Sequence, residues 1–403
     1  MFEFLKRRRT EERSTNDSLQ LLLEQEGASS SGMNVNSKTA QTLPAVYCAV
    51  STIAEAVAAM PVHVYNKAED GERARATGHQ AERLLNVAPN DYMTPYDFKL
   101  ALMRSVLLRG NGYAHIHFDG AGRATSLHLL HPDAVTCKQL ANGRLGYQIT
   151  QKNGKHKNLL QDEVLHVRYH SDDGIEGKSP IQVCRDTIGL GLAQDLHGAN
   201  SFKNGAKPAG AILFDKPMQS KSMQNIRDGL THTHTGAAKS GQVMILEGGA
   251  KWQPIGLSNS EAEWLRAREF TISDIARMFK ISPIFLQDYT HSTYSNFSEA
   301  SRAFLSQSLR PWLTNLEQAL ASRLISSRSR SNTFIEFQTA DTLRATTRER
   351  YEVYDIAIRN GLLNPDECRK FENLPKREGG SEYSQSWKQD NQSPNEAGSA
   401  ARS

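Results

Sequence analysis

The chain has 403 residues, a hydrophobic fraction of 38%, 7% aromatics and a formal net charge of +4 from 48 basic and 44 acidic side chains. That length supports two or three domains with a substantial core. The near-even charge excludes a tight, general nucleic-acid binder, which carries a clear basic excess, but not DNA passing through a lined channel. No apolar run approaches membrane-spanning length, so no membrane partner is expected. Met1–Arg9 lacks the apolar stretch of a signal peptide. Its Lys6-Arg7-Arg8-Arg9 run reads as a solvated tail, with a nucleic-acid contact as the alternative. Cys48, Cys137, Cys184 and Cys368 are far apart and form no Cys-x-x-Cys pair. They read as reduced thiols.

Residues 10–40 are polar and rich in Ser, Asn and Glu, and read as a mobile arm. A helix is expected from Pro44 to Ala59, where Val46, Val50, Ile53, Val57 and Met60 recur at helical steps after start signals at Thr42 and Pro44. Pro61 ends it, and Val62–Tyr65 alternates as a strand. A short helix follows around Ala81–Leu85. A longer one starts at Thr94-Pro95 and stops at Gly110. From Tyr113 to Tyr169 the pattern turns to short strands punctuated by Asp119-Gly120, Asn142-Gly143 and Asn153-Gly154. His115, His117 and His166 read as sheet-face histidines rather than metal ligands, since no third ligand is placed with them in sequence.

Ser179-Pro180 opens a helix that Asn204-Gly205 closes, with Ile181, Cys184, Ile188, Leu192, Leu196, Ala199 and Phe202 on one face. The segment from Lys207 to Gly256 is mixed, with strands at Gly210–Phe214 and Gln242–Leu246, a helix after Ser220 and a polar loop at Thr231–Ser240. Helix resumes over Ser258–Phe279, where Ser260 and Glu263 are spaced as a capping box. Two helices of similar length thus flank a small insertion, the pattern of a stalk carrying a knob. A polar loop, Asp288–Asn296, precedes a long helix over Phe297–Ile325. Its apolar positions are Phe297, Ala300, Phe304, Leu309, Trp312, Leu316, Leu320 and Leu324, and Pro311 predicts a kink near Gln307. A strand at Thr333–Phe337 and helices at Leu343–Arg359 and Pro365–Phe371 complete the pattern. The polar residues from Arg377 onward read as disordered.

No catalytic constellation emerges. The nearest match to a phosphate-binding loop, Gly229 to Ser240, has six residues between Gly229 and Gly236 and two more before Lys239. A phosphate cradle needs four and none. His232 and His234 could touch a metal from one strand face, but no carboxylate or thiol accompanies them, so a solvated loop is the plainer reading. Gly110-Asn111-Gly112 lacks the third glycine of a dinucleotide fingerprint. No Gly-x-Ser-x-Gly elbow or His-Glu-x-x-His pair exists. No catalytic, cofactor-binding or metal residue is nominated. Two rival readings remain, a metal-dependent hydrolase using His232 and His234 and a monomeric nucleic-acid-binding protein.

An ordered series of motifs carries a resemblance. It runs through Val46-Tyr47-Cys48-Ala49-Val50, Ile53-Ala54-Glu55-Ala56-Val57-Ala58-Ala59-Met60-Pro61-Val62, Leu84-Leu85, Pro89-Asn90 and Met93-Thr94. It continues with Leu108-Arg109-Gly110-Asn111-Gly112-Tyr113-Ala114, His166-Val167-Arg168, Gly177-Lys178-Ser179-Pro180-Ile181 and Phe202-Lys203-Asn204-Gly205-Ala206-Lys207-Pro208. It closes with Ile275-Ala276-Arg277, Tyr294-Ser295-Asn296, Leu309-Arg310-Pro311-Trp312 and Asn360-Gly361-Leu362-Leu363-Asn364-Pro365. Over residues 45–380 the chain resembles the phage portal proteins of long-tailed phages with Hong Kong-type capsids. One departure is Asn364-Pro365-Asp366-Glu367, where the family often has Asn-Glu-x-Arg.

The resemblance implies an α+β portal fold with a mixed wing, a helical stem, a small clip and a long kinked helix. It divides the chain into an arm (1–40), the N-terminal part of the wing (41–178), stem helices (179–206 and 258–280) around a clip (207–257), a tunnel loop with the kinked helix (281–330), a C-terminal wing or short crown (331–376) and a disordered tail (377–403). It implies a ring, usually of twelve, at one capsid vertex of a virion, made in the host bacterial cytoplasm. The partners it implies are double-stranded viral DNA, the terminase large subunit, a head–tail connector protein, and a major capsid or scaffold protein. Carried over, the DNA-facing residues are Tyr289, Thr290, His291, Ser292, Thr293, Tyr294, Ser295 and Asn296.

Overall fold

The computed structural model describes residues 28–67, 73–151, 153–203, 210–213, 251–254, 258–289, 294–339, 347–372 and 374–384; side chains are described except in 201–213, 251–266, 294–298 and 347–349. The chain forms two compact units, residues 1–338 and 339–403.

The first unit is built on two helices, α1 (Pro44–Ala59) and α3 (Pro95–Arg109), with the short α2 (Gln80–Asn86) between them in sequence. Val46, Val50, Ile53 and Val57 of α1 are fully buried, as the helical spacing predicts, and they share one core with Phe98, Leu102, Met103, Val106 and Leu107 of α3. Each such side chain contributes roughly 1.5–3 kcal/mol of burial. Thr94 caps α3 by accepting from the Asp97 amide, and Gly110 ends it at φ +79°. Thr42 does not cap α1. Its hydroxyl donates to the Thr39 carbonyl, and Leu43 occupies the cap position. Lys99, itself buried, instead donates 2.6 Å from Nζ to the Met60 carbonyl at the end of α1, and burial lowers its pKa to about 8. A cation is favoured at a helix C-terminus, where the unpaired carbonyls gather.

Strands β1 (Val62–Lys67) and β2 (Arg73–Arg75) pair with β11 (Thr333–Phe337) in the order β11-β1-β2. Strands β3 (Asn111–Phe118), β4 (Ala124–Leu130) and β8 (Val164–Arg168) form the sheet β4-β3-β8. Strands β5 (Val135–Gln139), β6 (Leu145–Thr150) and β7 (His156–Leu160) form a third sheet in sequence order. This last sheet packs a smaller core from Tyr113, Cys137, Tyr147, Ile149, Leu159 and Val164. Three hairpin connections share one construction, a turn closed onto a glycine in left-handed backbone at Gly122, Gly143 and Gly154. Two fall at the expected Asn-Gly dipeptides. The first does not use Gly120: the Asp119 carboxylate accepts from the Ala121 and Arg123 amides, which carries the chain on to Gly122.

The helix expected from Pro180 is broken. α4 (Pro180–Val183) stops at Cys184, and α5 (Arg185–Lys203) restarts at once. Ile188 and Leu192 of α5 are buried, whereas Leu196, on the same expected face, is half exposed. α5 runs beside α6 (Ser258–Phe279), where Thr271 donates to Gln194 and Arg268 pairs with Asp195 at 2.9 Å. α6 starts two residues before Ser260, so the expected capping box is not at its terminus. Of the insertion between these helices, a two-stranded ribbon is described, β9 (Gly210–Leu213) with β10 (Lys251–Pro254). The helix after Ser220, the loop at Thr231–Ser240 and the strand at Gln242–Leu246 lie outside the described residues, as do His232, His234 and Lys239. The arm is not wholly loose in the structure. Val35 and Ala40 belong to the main core, and Ser29 is buried against α5 with the Ser30 amide donating to Asp186.

The long helix is one run in three parts: α7 (Tyr294–Ala303), a π-turn over Phe304–Leu309, and α8 (Arg310–Leu324). Pro311 sits in the first turn of α8, where its missing amide is tolerated. The irregularity expected at Gln307 takes the form of that π-turn, closed by the Arg310 amide on the Leu305 carbonyl five residues back. Trp312 stacks on Tyr169 with ring centroids 4.6 Å apart.

In the second unit, α9 (Thr347–Arg359) and α10 (Pro365–Phe371) are joined through Gly361 at φ +66°. Asn364 and Glu367 form a reciprocal capping box, and Arg350 bridges to Glu372. Residues 377–384, expected to be disordered, return to α10: the Arg377 amide donates to Asp366 and the Tyr383 hydroxyl to Glu367.

The first unit is knitted together where β3 meets the segment entering α4. Asn111 donates from Nδ2 to the Gly177 carbonyl at 2.9 Å, while its Oδ1 accepts from the Gly177 amide at 2.7 Å. The same Oδ1 accepts from His166 Nε2 at 2.9 Å. With Nε2 donating, Nδ1 of His166 must accept, and the Tyr147 hydroxyl and Arg168 Nε both lie 3.2 Å from it. His166 is therefore held as the neutral ring, and burial pushes its pKa down to about 2. Ser179 ties the next turn by donating to the Leu108 carbonyl at 2.8 Å. A side-chain carbon added to Gly110 would sit 2.3 Å from the Lys178 carbonyl carbon, and one on Gly177 would sit 2.0 Å from the Gly110 oxygen.

Two outcomes are expected from this junction. Asn111→Ala strands His166 Nε2–H and both Gly177 backbone groups, and should cost about 2–3 kcal/mol in thermal or denaturant unfolding. Because the folded-state pKa of His166 lies below the ordinary value of 6.5, its contribution is complete above pH 6.5 and is lost as pH falls toward about 2. His166→Gln should accordingly flatten the decline in stability between pH 7 and pH 4.5, by up to about 1.4 kcal/mol per pH unit. An unchanged slope would show that the ring titrates freely.

Candidate functional site

The expected DNA-facing loop begins where α6 ends. Lys280, at φ +55°, terminates the helix; its amide bonds the Arg277 carbonyl and the Ile281 amide reaches back to Ala276. This double closure is the one usually made with glycine. A 3-10 turn follows at Pro283–Leu286, then Gln287 at φ +64°. The Asp288 amide turns back to the Pro283 carbonyl at 3.2 Å. Tyr289 is 55% exposed and its hydroxyl donates to Gln287 Oε1 at 2.9 Å. An aromatic ring is thus presented to solvent on a braced backbone.

Of the eight expected site residues, Tyr289 has a described side chain, and Thr290, His291, Ser292 and Thr293 lie outside the described residues. Tyr294, Ser295 and Asn296 are not loop. They form the first turn of α7. Polar residues suit a first turn, where backbone amides lack helical partners, and no glycine or proline interrupts the chain from Tyr294 to Leu309.

The support beneath the loop was not legible in the spacing. Phe285 packs on Phe304 of the π-turn with centroids 4.5 Å apart, and Ser308 donates to the Lys280 carbonyl. From α1, Cys48 Sγ and Thr52 Oγ1 approach the Phe285 carbonyl at 3.3 and 3.5 Å. One trace of the π-turn does exist in the sequence. The apolar positions Phe304 and Leu309 are five residues apart in a pattern that otherwise steps by three or four.

The histidines form two separate arrangements. His166 is buried in the junction described above. His115 and His117 lie on β3, their Nδ1 and Nε2 atoms 2.8 Å apart, and the ring of His128 on β4 is 4.7 Å from that of His117. His128 faces His115 across the ladder, a neighbour the sequence order could not supply. Burial, the leading cause, lowers His115 to about 4 and also lowers His128. Among the described residues no three His, Cys, Asp or Glu side chains are arranged to hold a metal ion. An open cleft of about 800 Å³ lies beside α2 and α3, lined by His63, Arg75, Glu82 and Lys99 among others. Arg75 Nε donates to Glu82 there at 3.0 Å. No described helix is long and apolar enough to cross a membrane.

The comparisons agree with one another. The family profile described as phage portal protein matches residues 44–373. The chain is 27% identical over 355 residues to the probable portal protein of Streptomyces phage phiC31, covering 85% of this chain and 77% of that one. It is 26% identical over 351 residues to the portal protein of Enterobacteria phage HK97, covering 86% of this chain and 82% of that one. A solved neck of a native gene transfer agent particle, computed with C12 symmetry, contains a chain that superposes at a TM-score of 0.60 with 25% identity, over 84% of this chain and 92% of that chain. The hydrolase and monomeric-binder readings find no counterpart in these matches. With its mixed helix-and-sheet fold and a family match spanning most of its length, the chain belongs to the phage portal protein family.

Proposed function

We propose that the chain assembles as a closed ring of twelve copies at one vertex of a capsid, and that DNA passes through the ring during packaging and ejection. The observation that carries this reading is the family match over residues 44–373. The C12 symmetry of the similar neck particle supports the subunit number. Rings of this kind use one surface of each subunit against a different surface of the next, and close by rotation.

On this reading residues 41–178 belong to the wing, 179–206 and 258–280 to the stem, and 207–257 to the clip. The clip would dock the terminase large subunit and later the head–tail connector, and capsid or scaffold protein would surround the wing. Residues 331–376 would complete the wing or a short crown. The protein itself is not an enzyme in this scheme; a separate motor supplies the energy. Residues 288–296 face the DNA. That stretch contains no Lys or Arg. A conduit must not hold its cargo, and each phosphate neutralised by a basic side chain adds salt-dependent affinity. Tyr, Thr, Ser, Asn and one His can touch a backbone weakly and release it.

Two experiments test the reading. Sedimentation of purified protein, with negative-stain imaging, should give a cyclic assembly; a monomer across protein and salt concentrations would overturn it. Replacing Tyr289 and Tyr294 together with Ala should leave the ring intact and lower DNA packaging or retention. Loss of assembly, with no defect specific to packaging, would make 288–296 a subunit contact instead.

A further inference from the structure

Contacts from two directions converge on the residues that lead from α6 toward residues 288–296. From one side comes α1. Cys48 and Thr52 stand four residues apart and so share a helix face. Their Sγ and Oγ1 atoms donate to a single acceptor, the Phe285 carbonyl, at 3.3 and 3.5 Å. From the other side comes the π-turn. Phe304 packs on the Phe285 ring at 4.5 Å, and the Ser308 hydroxyl donates to the Lys280 carbonyl.

Between these grips lie two non-glycine residues in left-handed backbone, Lys280 at +55° and Gln287 at +64°. Such residues persist where their surroundings over-determine them. A π-turn has the same character, since it gives up regular helical bonding and is frequently found at functional sites. Here the two left-handed residues bound the eight-residue segment 280–287 and the π-turn packs on it, and the helix that braces it, α1, carries the most completely buried side chains of the core.

We propose that Cys48 and Thr52 on α1, together with Phe304 and Ser308 on the π-turn, are positioning residues that clamp segment 280–287 and set where the chain carrying Tyr289 leaves the body of the subunit. The proposal rests on the reading of 288–296 as DNA-facing. A thiol is a weak donor, and the Thr52 contact is long. The α1 side of the clamp therefore fixes direction more than it adds stability, which lets position be separated from folding by experiment.

The test uses full-length assembled rings. In the Cys48→Ala/Thr52→Val double variant both donors are gone, with the shape kept at position 52 and one half-buried sulfur removed at position 48. Hydrogen exchange read by mass spectrometry should show a peptide spanning Phe285–Tyr289 exchanging about tenfold faster, as expected when a local opening loses its weak restraints. Peptides from α1, ring assembly and Tm should be unchanged, and DNA retention should fall. Cys48→Ser, which keeps a donor, should behave as the parent. Phe304→Leu loosens the opposite grip and should produce the same local exchange, giving a second route if the double variant folds poorly. Unchanged exchange at Phe285–Tyr289 in both the double variant and Phe304→Leu overturns the clamp, even where the Tyr289 and Tyr294 replacements still impair retention. Faster exchange with normal retention upholds the clamp and sinks the DNA-facing reading instead.

Discussion

The close crossing of Gly110 with the Gly177–Ser179 segment is the constraint on which the first unit depends. Two motifs nearly seventy residues apart approach so tightly that neither glycine has room for a side-chain carbon. The contact is completed by one side chain. The Asn111 amide satisfies both backbone groups of Gly177 and also fixes the tautomer of His166. This single junction joins the end of α3, the start of β3, the edge strand β8 and the entry to α4. The chain leaves the sheets for the helices at this point. Buried polar groups are costly unless all are paired, and a fully paired set specifies one geometry.

The loop base follows the same logic with different parts. Where the junction relies on glycines, the loop base places lysine and glutamine in a conformation glycine usually supplies. The surrounding contacts, from α1 on one side and the π-turn on the other, hold that backbone in place. The result is a braced exit from α6 with an exposed tyrosine at its end. On the proposed reading, a conduit that lets a charged polymer slide needs contact groups held at a set position, without the charge that would trap the polymer.

Much of the secondary structure was legible because its signals are local. The bounds of α1, α6, β11 and α10 follow from apolar spacing, prolines at first positions and a capping asparagine. Where the expectation failed, either a local hydrogen bond or break, or burial in the distant core, took over from the spacing. Cys184 interrupts the helix after Pro180 although the apolar spacing runs straight through it. Tyr294–Asn296 read as loop from their polarity, yet join the helix whose apolar residues begin just beyond them. Residues 28–40 read as arm from composition, but Val35 and Ala40 find places in the core. The turn at Asp119 selects Gly122 over Gly120 through the aspartate's own hydrogen bonds.

By itself, the sequence determined the class of the protein. Its ordered motifs, its helices flanking an insertion and its lack of a phosphate-binding loop all follow from residue types and short spacings. Tertiary structure alone decided what those motifs do for one another. Asn111 and Gly177 are unremarkable until they pair, His128 joins His115 only through strand register, and Cys48 acquires a role only when α1 packs beside Phe285. These are contacts between residues far apart in the chain. No local periodicity encodes them, because they form only once the core has brought their elements together.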